Sequence, residues 1–110
     1  NNRKQESVTR AELIQERIGQ AEKTNEIILD GLQMKTLPSS IFIKTLTKLY
    51  LHDNELVILP PEISLFENLK DLSLENNRLS SLPKEIGALK SLERFHCHGN
   101  FIVSLPSEIG

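Results

Sequence analysis

The chain has 110 residues, the size of one domain, and its 38% apolar and 25% charged residues suit a folded protein rather than a disordered polymer. With 13 basic and 15 acidic residues its formal net charge is -2, which excludes the broad positive field that gathers nucleic acid or anionic lipid. The single cysteine excludes an intrachain disulfide, and no apolar run approaches the ~20 residues of a membrane span. We therefore expect a cytoplasmic protein that binds neither nucleic acid nor membrane.

The segment 1–23 differs from the rest of the chain and predicts an amphipathic helix over residues 3–23. Thr9 and Glu12 have the spacing of a capping box. The apolar stripe of this helix comprises Val8, Ala11, Ile14, Ile18 and Ala21, with Leu13 on its flank. We expect the helix to cap a repeat domain that would otherwise expose its core edge, and the alternative is a helix that binds a partner. The first five residues resemble neither a signal peptide nor a natural start, so we expect a piece of a longer protein.

Residues 24–110 contain an internal period. The segments LTKLYLHDNEL (46–56), LKDLSLENNRL (69–79) and LERFHCHGNFI (92–102) share the pattern LxxLxLxxNxL and begin 23 residues apart. This spacing indicates about four stacked repeats, the first degenerate and the last incomplete. In the degenerate repeat Leu32 stands where asparagine is expected. The apolar positions of that first repeat are Ile27, Leu29, Met34, Leu37 and Ile41.

Each position of the repeat has a physical reason. Leu49-Tyr50-Leu51 and its counterparts alternate in polarity like strands with one buried face, so we expect a parallel sheet. The asparagine after each strand can hydrogen-bond the turning backbone and form an internal ladder. These asparagines are Asn54, Asn77 and Asn100. The following LPxxI segments predict short helical or 3₁₀ turns. The apolar residues of this return side are Leu59, Ile63, Phe66, Leu82, Ile86, Leu89, Leu105 and Ile109.

On these residues the chain resembles the leucine-rich repeat family, and within it the intracellular, Ras-suppressor-like class with LPxxI repeats. The resemblance covers roughly residues 24–110. It implies an α/β solenoid, a right-handed β-α superhelix with a parallel sheet on its concave side, here with an N-terminal capping helix. It also implies a general role in protein recognition. Phe95 and Cys97 depart from the leucine pattern. We also expect no C-terminal cap after Gly110.

Strand alternation predicts which side chains point away from the core on the outer side of the sheet, which we call the concave face. Its expected columns across the repeats are Glu26, Lys48, Asp71 and Arg94; Ile28, Tyr50, Ser73 and His96; Asp30, His52, Glu75 and His98; and, at the rim, Gly31, Asp53, Asn76 and Gly99. Five acids there oppose two bases and three histidines, which suits a basic or mixed partner surface. The residues that we expect to bind a partner protein are Lys48, Tyr50, His52, Asp53, Asp71, Ser73, Glu75, Arg94, His96 and His98.

Several of these residues also have simpler interpretations. Tyr50 is either an interface anchor or a ring that lies over Ile28. Arg94 can bind partner carboxylates, but a pair with Asp71 on the adjacent strand is favoured. The sequence His96-Cys97-His98 suggests a metal site, yet alternation sends Cys97 into the core in place of leucine. A flat sheet also lacks the enclosed pocket that nucleophilic catalysis needs, so we predict no metal, no cofactor and no catalytic residue.

We therefore expect a non-enzymatic protein-protein interaction module that binds its partner on the concave face, as the N-terminal part of a larger signalling or scaffold protein. The alternative is a regulatory or structural arm of a larger enzyme such as a kinase or cyclase. The class resemblance implies a small GTPase as a candidate partner. Because no cap follows Ile109, we also expect Leu105 and the last repeat to fray or to self-associate end to end.

Overall fold

The computed structural model describes residues 9–103 and residue 106. Within that part of the chain, helix α1 (Arg10–Thr24) precedes a four-stranded parallel sheet whose strands follow chain order. The strands are β1 (Glu26–Ile28), β2 (Lys48–Tyr50), β3 (Asp71–Ser73) and β4 (Arg94–His96). They are connected by segments that contain the 3₁₀ turns Ser39–Ile41, Pro61–Leu65 and Lys84–Ala88. The architecture is the predicted α/β solenoid.

Helix α1 begins and ends at residues that satisfy its free backbone groups. The Thr9 hydroxyl accepts from the Glu12 amide at 3.1 Å, and the Glu12 carboxylate accepts from the Thr9 amide at 3.0 Å. At the other end Asn25 adopts a left-handed conformation with φ 59, and its amide donates to the Ala21 carbonyl at 2.8 Å. Because this cap follows Thr24, the helix extends one residue beyond the predicted end at residue 23.

The apolar stripe of α1 is only partly buried. Ile18 and Ala21 join the core and Ile14 packs against it, whereas Ala11 is exposed, so the prediction for Ala11 is wrong. The helix reaches the sheet with its C-terminal half, because the chain turns at Asn25 directly into β1. The predicted stripe residue Val8 and the predicted helix start at residue 3 lie outside the described residues.

The core is a stack of leucines and isoleucines between the sheet and the return side. Leu49 and Leu72 are the central inward residues of β2 and β3, and both are almost fully buried. The 3₁₀ turns after Pro60 and Pro83 form where the LPxxI segments predict them. The buried return-side residues are Leu59, Ile63, Phe66, Leu82, Ile86 and Leu89, while the predicted Leu105 and Ile109 lie outside the described residues.

The asparagine ladder is present. Each asparagine donates from Nδ2 to a carbonyl of its own repeat and to one of the preceding repeat, and each accepts a backbone amide at Oδ1. In the first repeat, Leu32 has no side-chain amide at the ladder position. Asn54 of the next repeat accepts from the backbone N–H of Met34 at 3.0 Å, as the later asparagines do from Leu56 and Leu79, and also from the backbone N–H of Leu32 at 3.0 Å. The ladder therefore ties the degenerate repeat to the regular ones.

Cys97 differs from its prediction. It is half-buried rather than a core residue, and Phe95 on the same strand is also half-buried. The reason is that β4 has a neighbouring strand on one side only within the described part of the chain. The burial that remains raises the pKa of the Cys97 thiol, with a smaller contribution from the charge of Glu75.

Candidate interaction surface

The strand register brings the predicted columns together. Glu26 is opposite Lys48, Lys48 opposite Asp71, and Asp71 opposite Arg94. The second column, from Ile28 through Tyr50 and Ser73 to His96, is aligned in the same way. Beyond the strands, backbone bonds such as Leu29 N to Tyr50 O at 2.8 Å continue the alignment. The concave face therefore carries ordered rows of side chains, as strand alternation predicts.

Asp71 is the centre of a polar cluster on this face. Its Oδ2 atom accepts a hydrogen bond from the Tyr50 hydroxyl at 3.0 Å and from Arg94 Nε at 3.3 Å. The predicted pair between Arg94 and Asp71 is therefore present. Asp71 itself is only 7% exposed, because the longer side chains of the flanking strands lie over it. We call Tyr50, Asp71 and Arg94 the Tyr-Asp-Arg cluster.

Tyr50 does more than lie over Ile28. Its half-buried ring packs with the His52 ring at 6.4 Å between centroids, and its hydroxyl is fixed by Asp71. Burial raises the pKa of Tyr50, and the hydrogen bond and charge of Asp71 raise it further. The side chain is thus held in one position while part of its ring stays accessible.

A second cluster links the third column to Ser73. His52 Nε2 lies 3.7 Å from Asp30 Oδ2, and His52 Nδ1 lies 3.2 Å from the Ser73 hydroxyl oxygen. The Ser73 hydroxyl donates to the Glu75 carboxylate. Burial alone would raise the pKa of Glu75, but this hydrogen bond, a backbone hydrogen bond and the nearby His52 and His96 together hold that pKa below its ordinary value.

This second cluster contains serine, histidine and aspartate but does not have the geometry of a nucleophile. The Ser73 hydroxyl donates to the Glu75 carboxylate rather than to the His52 ring, unlike the serine-to-histidine hydrogen bond of an activated nucleophile. Ser73 is also only 5% exposed, which leaves no room for a substrate carbonyl beside its oxygen. The contacts instead fix the orientation of the side chains that surround Ser73.

The ten predicted contact residues are unequally accessible. Asp71 and Ser73 are buried, so the expectation that they meet a partner directly is corrected: they orient their neighbours. Both lie on the central strand β3, where long side chains from both sides cover them. The four exposed members are Asp53, Arg94, His96 and His98, and the four half-buried members are Lys48, Tyr50, His52 and Glu75. These eight form the accessible concave surface.

Two general findings concern the described residues as a whole. Within residues 9–103, no three histidine, cysteine, aspartate or glutamate side chains come close enough together to hold a metal ion. Helix α1, like the shorter 3₁₀ turns of the described chain, is not long and apolar enough to cross a bilayer.

A groove between α1 and the first repeat was missed at the level of sequence. It has a volume of about 610 Å³, and its walls include Arg10, Ile14, Met34, Lys35, Pro38 and Glu55. We call it the helix groove. Its only sequence signals are the step of 22 instead of 23 residues between Leu37 and Leu59, and the helix that precedes the first repeat. Neither signal predicts how far apart the helix and the repeat lie.

Comparison with known proteins assigns the fold. A family model for the leucine-rich repeat matches residues 44–102, which is more than half of the chain. The chain belongs to the leucine-rich repeat family. A solved structure of a leucine-rich repeat protein from Leptospira interrogans is 31% identical with a TM-score of 0.69, and the match covers 87% of this chain. The chain spans 31% of that protein, and a comparison with curated proteins finds no match. Leucine-rich repeat domains are generally protein-protein interaction modules and are typically not catalytic.

Proposed function

We propose that this leucine-rich repeat module binds a partner protein through the accessible concave surface. The observation that supports this proposal most strongly is the Tyr-Asp-Arg cluster, in which Asp71 holds Tyr50 and Arg94 in place. Tyrosine and arginine are the side chains most enriched among interface residues that dominate binding energy. Because Asp71 already restrains both side chains, they lose less conformational entropy when a partner binds.

The partner that best fits this surface is a protein with a basic or mixed face. Five acidic residues oppose two basic residues on the concave face, and one acid, Asp71, is already neutralised by Arg94. By analogy with the Ras-suppressor-like class of leucine-rich repeats, we extend the proposal to a cytoplasmic signalling or scaffold role and to a small GTPase as candidate partner. The single cysteine supports a reducing compartment.

The experiment is capture of the partner by the immobilised chain, followed by titration of variants. Tyr50→Ala and Arg94→Glu should each weaken binding by more than ~2 kcal/mol, or about thirtyfold, while the thermal melt remains cooperative. Lys84→Glu is the matched control, because Lys84 is exposed on the return side and should cost under ~1 kcal/mol. Glu85, the neighbour of Lys84, is half-buried and therefore does not serve as a second control. Loss of binding in Lys84→Glu alone would place the interface on the opposite surface.

A further inference from the structure

The helix groove lies on a different surface from the concave face and has a distinctive chemistry. Its floor is apolar, with Ile14 and Pro38 half-buried and Met34 buried, and two cations stand at its rim. These are Arg10, whose Nη1 atom donates to Gln33 Oε1 at 2.7 Å, and Lys35. A volume of about 610 Å³ is large enough to accept several side chains.

The charged residues at the rim differ in whether an oppositely charged side chain lies close to them. Glu55, the acid among the groove residues, forms an ion pair with Arg78, whose Nη1 atom lies 3.8 Å from Glu55 Oε1. Within the described part of the chain, neither Arg10 nor Lys35 forms an ion pair. Arg10 is also the first residue of α1, where the helix dipole disfavours a cation. A cation that breaks a local rule and has no ion-pair partner among residues 9–103 is the kind of departure expected at a binding site.

Apolar surface continues from the groove onto the neighbouring repeat. Val57 and Ile58 are 52% and 67% exposed, although both are large apolar residues. They occupy the repeat positions of Lys35 and Thr36, which line the groove one repeat earlier, and the Glu55 amide bonds the Met34 carbonyl at 2.8 Å where the two segments align. The next repeat has serine at both positions, Ser80 and Ser81. The fourth repeat has Val103, which is 92% exposed, at the Val57 position and serine at the next position. Only apolar residues at both positions therefore distinguish the repeat beside the groove.

We infer that the helix groove and the Val57-Ile58 pair form a second docking surface for a segment of another protein that combines apolar side chains with carboxylates. The apolar side chains fill the groove and cover Val57 and Ile58, while the carboxylates pair with Arg10 and Lys35. Charge complementarity selects this occupant, because both rim charges that lack an ion-pair partner among residues 9–103 are positive. A basic segment would meet like charge there.

The test uses the full chain and a fluorescent short peptide of leucines and glutamates, measured by anisotropy at low and high salt. We expect binding that weakens as salt rises, and about tenfold weaker binding for Arg10→Glu and for Lys35→Glu. Ile58→Ser, which copies the next repeat, should weaken binding severalfold. Arg94→Glu on the concave face should bind the peptide like the unmodified chain. Because Lys35 is exposed, Lys35→Glu should melt like the unmodified chain. Arg10→Glu should melt at the same or a higher temperature, because an acid is favoured in the first turn of α1.

Three outcomes would overturn this inference. The first is no measurable binding of the peptide, or equal binding of a peptide with lysines in place of the glutamates. The second is equal affinity for the charge-reversed variants and the unmodified chain. The third is self-association of the free chain that Lys35→Glu abolishes, since it would place a second copy in the groove. A concave-face variant such as Arg94→Glu should change none of these three outcomes. Failure of this inference can therefore be distinguished from failure of the proposed function.

Discussion

Asn77 is the central member of the asparagine ladder, and its replacement by alanine should strongly destabilise the fold. The side chain is buried, with 4% exposed. Its Nδ2 donates to the carbonyls of Leu51 at 2.9 Å and Leu74 at 3.1 Å, and its Oδ1 accepts from the Leu56 amide at 3.0 Å. The residue thus connects the second repeat to the third.

The expected loss of folding stability depends on which hydrogen bonds each backbone group keeps after the substitution. The Leu51 carbonyl still accepts from Asn54 Nδ2 at 3.0 Å, and the Leu74 carbonyl still accepts from Asn100 Nδ2 at 2.9 Å, so each lost bond costs about 1 kcal/mol. The Leu56 amide keeps no partner among the described residues, which costs a further ~1 to 3 kcal/mol. The sum of ~3 to 5 kcal/mol is a large part of the ~5 to 15 kcal/mol that stabilises a typical domain.

Urea unfolding followed by circular dichroism measures this loss, with Asn68→Ala as the matched control. Asn68 is exposed and makes a single side-chain hydrogen bond, to the Lys44 carbonyl at 3.3 Å, so its loss should cost under ~0.5 kcal/mol. Asn77→Asp should be at least as damaging at neutral pH as Asn77→Ala, because a carboxylate cannot donate to the two carbonyls. Equal stability of Asn77→Ala and Asn68→Ala would refute the role given to the ladder.

Three further predictions concern the core, the rim and the Tyr-Asp-Arg cluster. Leu72→Ala should cost ~2 to 5 kcal/mol in denaturant melts and Tyr50→Ala clearly less; equal losses would mean that the inner and outer faces are assigned wrongly. Gly99→Ala should destabilise the fold by ~1 kcal/mol or more, because Gly99 has φ 74 and an added Cβ would overlap Asn76. The control is Gly19→Ala in α1, where an added Cβ meets no atom within 4 Å and should stabilise the fold by ~0.5 to 1 kcal/mol. Stability changes of the same sign in both variants would contradict this prediction. Tyr50 is the only tyrosine, so an ultraviolet absorbance titration should show its pKa above the usual value, and Asp71→Asn should lower it. Since the pKa of Tyr50 is raised in the folded chain, the neutral phenol contributes to folding stability below the ordinary tyrosine pKa, and this contribution is lost as pH rises through the raised pKa. A titration midpoint that Asp71→Asn leaves unchanged would exclude the hydrogen bond between Tyr50 and Asp71.

The parts of the fold that follow from the period were predictable from sequence. A fixed spacing of 23 residues places equivalent residues side by side, so the register of Lys48, Asp71 and Arg94 follows from counting. The asparagine ladder follows for the same reason, since each amide meets the same backbone groups one repeat earlier. The pair between Arg94 and Asp71 could also be predicted, because it needs only adjacent strands and opposite charges.

The parts that depend on side-chain length and on non-repeating contacts were not predictable. Alternation gives the face on which Asp71 and Ser73 lie, but their burial depends on how Tyr50, His52 and Arg94 fold over β3. The helix groove depends on the angle between α1 and a degenerate repeat, which no period encodes. The expected fraying and end-to-end association through Leu105 fall outside the described residues and remain a prediction.

The most direct test of the proposed concave interface uses the three histidines, because all histidines of the chain lie on that face. Diethyl pyrocarbonate labelling of His52, His96 and His98 is measured by mass spectrometry, with and without saturating captured partner. We predict that the exposed His96 and His98 are labelled at least about tenfold more slowly in the complex than in the free chain. As a control, a lysine reagent should acylate Lys84 on the return side at the same rate with and without the partner. Unchanged histidine labelling together with protection of Lys84 would contradict a concave interface.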